Sequence, residues 1–151
     1  MDRSCGILPD ALRFSVIKRF NKNRYLCITL KHNEVADIIP GKIRWNLRRG
    51  DALNSGVLVE GYNLTGKNVA MDVRSDPESE AVLRFSSEDG SIEIQPHIDQ
   101  WILIFKKTSQ EMKVEVGTYL LDIEAYSNNY DTETFGEGQM VIRHEITRRI
   151  K

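Results

Sequence analysis

Between Lys42 and Ile146 apolar side chains recur at every second position in run after run, and this constrains the fold more than any other feature of the chain. Ile43-Trp45-Leu47, Val69-Met71-Val73, Ile92-Ile94, Tyr119-Leu121-Ile123-Ala125 and Met140-Ile142 each follow this rule. A period of two turns one face of a strand inward and the other to water. Turn-forming residues punctuate the runs: Asn54-Ser55-Gly56, Gly66, Asp76-Pro77, Asp89-Gly90, Gly117 and Gly136-Glu137-Gly138. The spacing predicts seven or eight strands, near 42–48, 56–60, 67–74, 81–86, 91–95, 100–106, 117–127 and 138–146. Many short strands at regular intervals indicate an all-β antiparallel sandwich or barrel. A single helical turn is expected at Thr108-Ser109-Gln110-Glu111-Met112, where Thr108 and Glu111 stand at capping-box spacing.

A chain of 151 residues fits one domain with an appended arm. The boundary is placed at Ile38-Ile39-Pro40-Gly41, where proline removes a ladder donor and glycine frees the backbone. This gives an N-terminal arm at 1–41 and a sandwich domain at 42–151. Within the arm, Leu12 to Val16 and Tyr25 to Leu30 flank Asn21-Lys22-Asn23, the pattern of a β-hairpin. An isolated hairpin is marginal in water, so it must fold back on the sandwich or pair with a neighbour. Leu12, Phe14, Val16 and Tyr25 are its candidate assembly contacts.

Charge and cysteine content exclude several function classes. The net charge is −1, which favours neither nucleic acid nor an acidic surface. No apolar run approaches the length of a membrane-spanning helix. The first residues lack the basic-then-apolar layout of a secretion signal. Cys5 and Cys27 are too few for a disulfide-stapled secreted domain, and both are expected to be reduced, in keeping with synthesis in a cytoplasm.

The candidate chemistry is sparse. Arg49-Gly50-Asp51 spells an adhesion tripeptide but follows a strand, where a turn is the better reading. Asn63-Leu64-Thr65 matches a glycosylation acceptor, with Leu64 expected to plug the core. His32, His97 and His144 do not stand at metal-ligand spacing, and His144 falls in phase with Met140 and Ile142, as a partly buried strand residue would. The carboxylates at Asp76, Glu78 and Glu80 and at Glu88-Asp89 do not follow a calcium loop and are read as loop charge. No Gly-x-Ser-x-Gly elbow is present, and Gly136-Glu137-Gly138 reads as a hairpin turn rather than a phosphate cradle. The expectation is a protein that is not an enzyme, with no metal and no cofactor.

Several segments in order resemble a known family. Trp45-Asn46-Leu47-Arg48-Arg49-Gly50-Asp51 is followed by Asn63-Leu64-Thr65-Gly66 and by the arginine-ended strand Val69 to Arg74. Then come Gly90-Ser91-Ile92-Glu93-Ile94 and the stretch Ile102 to Glu111. The series closes with Gly117-Thr118-Tyr119-Leu120-Leu121-Asp122-Ile123 and with Gly138 to Ile142 leading to Thr147-Arg148. Over residues 43–148 the chain resembles the N-terminal domain of siphophage upper baseplate proteins and related small prophage tail proteins. The resemblance implies an immunoglobulin-like β-sandwich, no catalytic residues, and a structural place in the virion. It implies partners among other tail, baseplate or neck proteins, self-association within the assembly, and no nucleic-acid or membrane partner. Localisation would be the virion, assembled in the host cytoplasm. The arm has no counterpart in the family, and the extension by which baseplate versions hold receptor-binding proteins does not appear, so a joining or adaptor role is expected.

The second reading is a carbohydrate- or ligand-binding β-sandwich. It requires Trp45 or Trp101 to face outward as a stacking platform. Trp45 alternates with Ile43 and Leu47, and Trp101 begins the run Trp101-Ile102-Leu103-Ile104-Phe105, apolar on both faces, so both are expected in covered positions.

Overall fold

The structure, a computed structural model, describes residues 16–20, 23–29, 31–32, 38–127 and 131–147. The described residues are all-β. In chain order the strands are β1 (Val16–Phe20), β2 (Asn23–Thr29), β3 (Lys31–His32), β4 (Ile38–Ile39), β5 (Gly41–Arg48) and β6 (Leu53–Glu60). They continue with β7 (Asn68–Arg74), β8 (Ala81–Ser86), β9 (Ile92–His97), β10 (Gln100–Lys107), β11 (Gly117–Tyr126) and β12 (Thr132–Arg143). One five-stranded sheet has the order β1-β2-β6-β10-β9, and a second has the order β5-β12-β11-β7-β8; β3 and β4 form a short separate pair.

The alternating positions read from sequence form the interface between the two large sheets. Ile43, Trp45, Val69, Met71, Val73, Tyr119, Leu121, Ile123, Met140 and Ile142 from the second sheet meet Val57, Val59, Ile92, Leu103 and Phe105 from the first. The Phe105 ring meets Trp45 and Phe85 edge-on, at centroid distances of 5.4 and 5.7 Å. Edge-to-face contacts of this kind add stabilisation beyond the buried area. Trp45 is in the core as expected, with its indole N–H donating to Ser55 Oγ at 3.1 Å.

Two turns read from sequence become strand. Asn54-Ser55-Gly56 lies inside β6, paired with Lys106, Phe105 and Ile104 of β10. The polar run does not break the strand, because Ser55 meets its hydrogen-bonding need at Trp45. The reversal between β5 and β6 occurs at Arg49-Gly50, where Gly50 has φ +80°. Gly136-Glu137-Gly138 likewise lies within β12, not at a hairpin turn. Ile123 pairs with Gly136 and Glu124 with Thr134, so Phe135 is the extra residue of a β-bulge. The bulge shifts the inward phase by one, and Phe135 and Gly136 are both buried. Gly138 answers a different need: β5 runs parallel to β12, and a Cβ on Gly138 would overlap the Ile43 carbonyl.

The turn at Thr108–Met112 forms as expected. Thr108 N–H donates to Glu111 Oε2 at 2.8 Å, and Glu111 N–H returns to Thr108 Oγ1 at 3.3 Å. It buries Met112 completely. The arm pattern also forms in part. β1 and β2 pair antiparallel from Val16↔Cys27 to Phe20↔Asn23, and β2 then lies parallel to β6, with Cys27 opposite Leu58. Leu12, Phe14 and Cys5 lie outside the described residues. Val16 takes its register position on β1, and Tyr25 pairs with Lys18 and Gly56 on β2.

Candidate functional site

Two surfaces gather polar chemistry. The first is the outer face of the second sheet. β5, β12, β11 and β7 present their outward residues there, around a cleft of about 640 Å³ that includes Lys42, Arg44, Asp72, Arg74, Asp122 and Glu137. Asp72 is its hub. Arg84 Nε donates to Asp72 Oδ1 at 2.8 Å, and Arg74 Nη2 donates to Oδ2 at 2.7 Å. These two guanidinium groups, Arg84 foremost, hold the Asp72 carboxyl below the usual carboxylate range. Asp122 lies directly across the ladder from Asp72. Burial, and then the Asp72 charge, push the Asp122 carboxyl upward; burial, then Asp122 and Asp72, do the same to Glu124. One arginine-clamped carboxylate beside two of raised pKa makes this a charged outer face.

The second surface lies at one end of the sandwich. The β6–β7 connection and the β9–β10 hairpin meet there around a shallow depression of about 560 Å³. Leu64 anchors the connection, buried to 1 % exposure, as the sequence predicts. Asn63 Oδ1 accepts from Thr65 N–H at 3.0 Å and from Thr65 Oγ1 at 2.7 Å, and Gly66 supplies φ +69°. The acceptor motif is therefore a self-hydrogen-bonded Asx turn around a core plug. Tyr62 stacks on Phe135 with ring centroids 5.1 Å apart. Lys67 Nζ donates to Tyr62 Oη at 3.0 Å, and this bond is the main cause of its raised pKa. From the hairpin comes Asp99, the one described non-glycine residue with positive φ, at +56°. Trp101 follows two residues later.

Trp101 departs from expectation. It shares the inward phase of Leu103 and Phe105, but it sits at the strand end and is only half-buried. Ile102 and Ile104, on the other face of β10, are half-buried too, so the strand is not fully covered among the described residues. Sequence reasoning considered Trp101 and missed Tyr62, Lys67, Asp99 and Glu133, which converge on it only through the fold. The one available signal was the short His97-Ile98-Asp99-Gln100 hairpin, which places a carboxylate beside an aromatic residue.

The remaining sequence candidates resolve locally. Arg49-Gly50-Asp51 is a turn as expected, and Arg49 Nε is taken by the Val114 carbonyl at 3.0 Å. Asp76 Oδ1 accepts the Glu78 and Ser79 amides at 3.0 and 2.9 Å, and Asp89 Oδ1 accepts the Ser91 amide at 2.8 Å, so both carboxylates shape their own loops. His144 is not a partly buried strand residue. β12 ends at Arg143, and His144 is exposed, with its carbonyl accepting from Arg48 Nη1 at 3.3 Å. Among the described residues no group of three or more His, Cys, Asp or Glu is placed to hold a metal ion, and no helix is long and apolar enough to cross a membrane. The sequence matches no protein-family model, and no curated protein matches it.

Proposed function

We propose that this chain is a non-enzymatic structural protein of a phage virion, a joining or adaptor component of the tail or baseplate built on an immunoglobulin-like sandwich. The observation that carries the reading is the position of the motif series in the fold. Trp45 through Asp51 form a core strand and the turn that ends it; Asn63 to Gly66 form the plugged turn; Gly117-Thr118-Tyr119 open β11. Each motif therefore has a separate architectural task, and none of them a chemical one.

The strand order supports the fold assignment. β6-β10-β9 facing β12-β11-β7-β8 follows the B-E-D and G-F-C-C′ order of immunoglobulin sandwiches, with β5 beside the G-equivalent strand. Tyr119 behaves as a tyrosine corner: near the start of the F-equivalent strand, its hydroxyl donates to the Glu115 carbonyl at 2.6 Å. The adaptor role fits a molecule whose sheets end, among the described residues, in β1 and β9 and in β5 and β8, and whose outer face is charged; such a molecule can pair with neighbours by strand addition and by ion pairing.

The test is immunogold electron microscopy of particles from an induced culture of the source organism, with antibody raised to this chain. Label on tails or tail tips is expected. Label absent from particles while the protein remains in the soluble fraction would overturn the reading. Light scattering of the full chain over a concentration series tests self-association: an oligomer is expected.

A further inference from the structure

The depression around Trp101 is built from groups of complementary chemistry held in place before any ligand arrives. Trp101 packs one part of its indole against the core and leaves the rest at the surface. Among the described residues its ring N–H donates to no protein acceptor. Around it stand Tyr62, Asn63, Lys67, Asp99 and Glu133. They come from the β6–β7 connection, the β9–β10 hairpin and the start of β12.

Each wall is fixed by the fold. Tyr62 is pinned between its stack on Phe135 and the bond from Lys67. The connection itself is locked by the Leu64 plug and the Asn63–Thr65 bonds. Trp101 is set by ladder pairing to Val59 on one side and Pro96 on the other. An aromatic group on a strand between two neighbouring strands loses little further freedom when a ligand stacks on it, which lowers the cost of binding.

We infer that this depression is a saccharide-binding site, in which Trp101 stacks on one apolar face of a pyranose ring. Asp99 and Glu133 accept hydrogen bonds from its hydroxyls, and Lys67 donates to them. The chemistry selects this class over others. Two carboxylates against one ammonium give a local charge of −1, which disfavours phosphates and nucleic acids. The Lys67 ammonium, bonded to the Tyr62 hydroxyl and 4.6 Å from the ring centroid, repels a second cation beside that ring. A neutral ring with an apolar face and a rim of hydroxyls can use the indole, both acceptors and the donor together. The site is open and shallow, so it suits one residue of a longer glycan, with an expected dissociation constant of about 1 mM for short oligosaccharides. This inference is independent of the virion reading and can fail without it.

The experiment is a titration of the full-length, 15N-labelled protein by NMR, following the two tryptophan indole N–H signals. The probes are maltotriose, cellotriose, mannotriose and N-acetylchitotriose, with tetramethylammonium chloride and inorganic phosphate alongside. The expected result is a saturable shift of the Trp101 indole signal with at least one trisaccharide, while the buried Trp45 signal stays in place. Trp101→Phe assigns the signal. Glu133→Gln combined with Asp99→Asn, both at exposed positions, should weaken the response at least about tenfold with the Trp45 signal unmoved as proof of folding. No saturable shift with any trisaccharide up to about 20 mM, equal movement of both indoles, or saturation by tetramethylammonium alone would each overturn the inference.

Discussion

The two ends of the sandwich are closed by different means. At the end holding the β5–β6 turn and the β10–β11 connection, the bonds reach across the chain. Gly50 N–H donates to the Met112 carbonyl at 3.0 Å, Arg49 N–H to the Arg143 carbonyl at 2.8 Å, and Arg49 Nε to the Val114 carbonyl. The Tyr119 hydroxyl binds the Glu115 carbonyl beneath them. At the end holding the β6–β7 connection and the β9–β10 hairpin, side chains link the segments: Lys67 Nζ donates to Glu133 Oε1 at 3.5 Å, and Gln100 Nε2 donates to Glu60 Oε1. Asn63 serves Thr65, and Lys67 N–H returns to the Leu64 carbonyl at 3.0 Å. Both ends bury one apolar plug, Met112 or Leu64. The first is stitched through main-chain carbonyls of distant segments. The second is linked by side chains, with the Trp101 depression among them. Main-chain seams close a surface, whereas side-chain links leave room for something else to bind.

The largest expected effect falls on the seam that serves both ends. Gly138→Ala forces a methyl into the Ile43 backbone, which cannot move aside as a side chain can. We expect a loss of more than about 3 kcal/mol or failure to fold, measured by urea denaturation. Gly117→Ala is the control. A Cβ there meets only the Tyr119 ring at 3.7 Å or beyond, so a change below about 1 kcal/mol is expected. Equal effects of the two would break the account of the β5–β12 seam.

Next come the two plugs. Met112→Ala and Leu64→Ala should each cost about 3 kcal/mol, since each removes a fully buried side chain and leaves a cavity. Hydrogen exchange separates them. Met112→Ala should speed exchange of the Gly50 amide, which binds the Met112 carbonyl, and Leu64→Ala should leave that amide no more labile than global unfolding requires. If both plugs release Gly50 alike, the ends are not distinct.

Smaller still is Tyr119→Phe, expected to cost about 1 kcal/mol for the lost bond to Glu115. Trp101→Phe, at a half-exposed position, should cost less than about 1 kcal/mol in thermal denaturation.

The pH dependence is the mildest test, and it concerns the outer face. Asp72 has a lowered folded pKa. Its contribution to stability is present above the ordinary carboxylate value and is lost as pH falls through the folded one. Asp122 and Glu124 have raised folded values, so protonating them as pH falls relieves the folded state and opposes that loss. Asp72→Asn should therefore flatten the acid limb of the stability profile, and Asp122→Asn should steepen it. The same change of slope in both variants would contradict the arrangement.

Much of this architecture was legible beforehand. The alternation of Val69, Met71 and Val73, or of Tyr119, Leu121 and Ile123, identified the inward face because a strand has only two faces. Leu64 stood out as a plug because it is apolar between turn residues. Thr108 and Glu111 announced their turn because the capping box is a local bond pattern. The functional surfaces were harder to read. Tyr62, Glu133 and the Asp99–Trp101 pair are far apart in sequence and share no period, so nothing local joins all of them. His144 kept the phase of β12 beyond the point where the strand ends.

The sequence by itself determined most of the strands, their inward faces and the Leu64 plug, because these follow from side-chain period and from bonds within a few residues. The tertiary structure alone decided the meaning of the glycines in Gly136-Glu137-Gly138. One sits beside a bulge, and the other lets a parallel strand approach, and neither condition exists until β5 and β11 flank β12. It also decided that Ser55 belongs to a strand, since that requires pairing with Phe105 of β10 and an indole N–H, 10 residues away, that donates to its hydroxyl. Which backbone passes close to which residue is a property of pairing between distant segments, and the local pattern of a chain does not encode it.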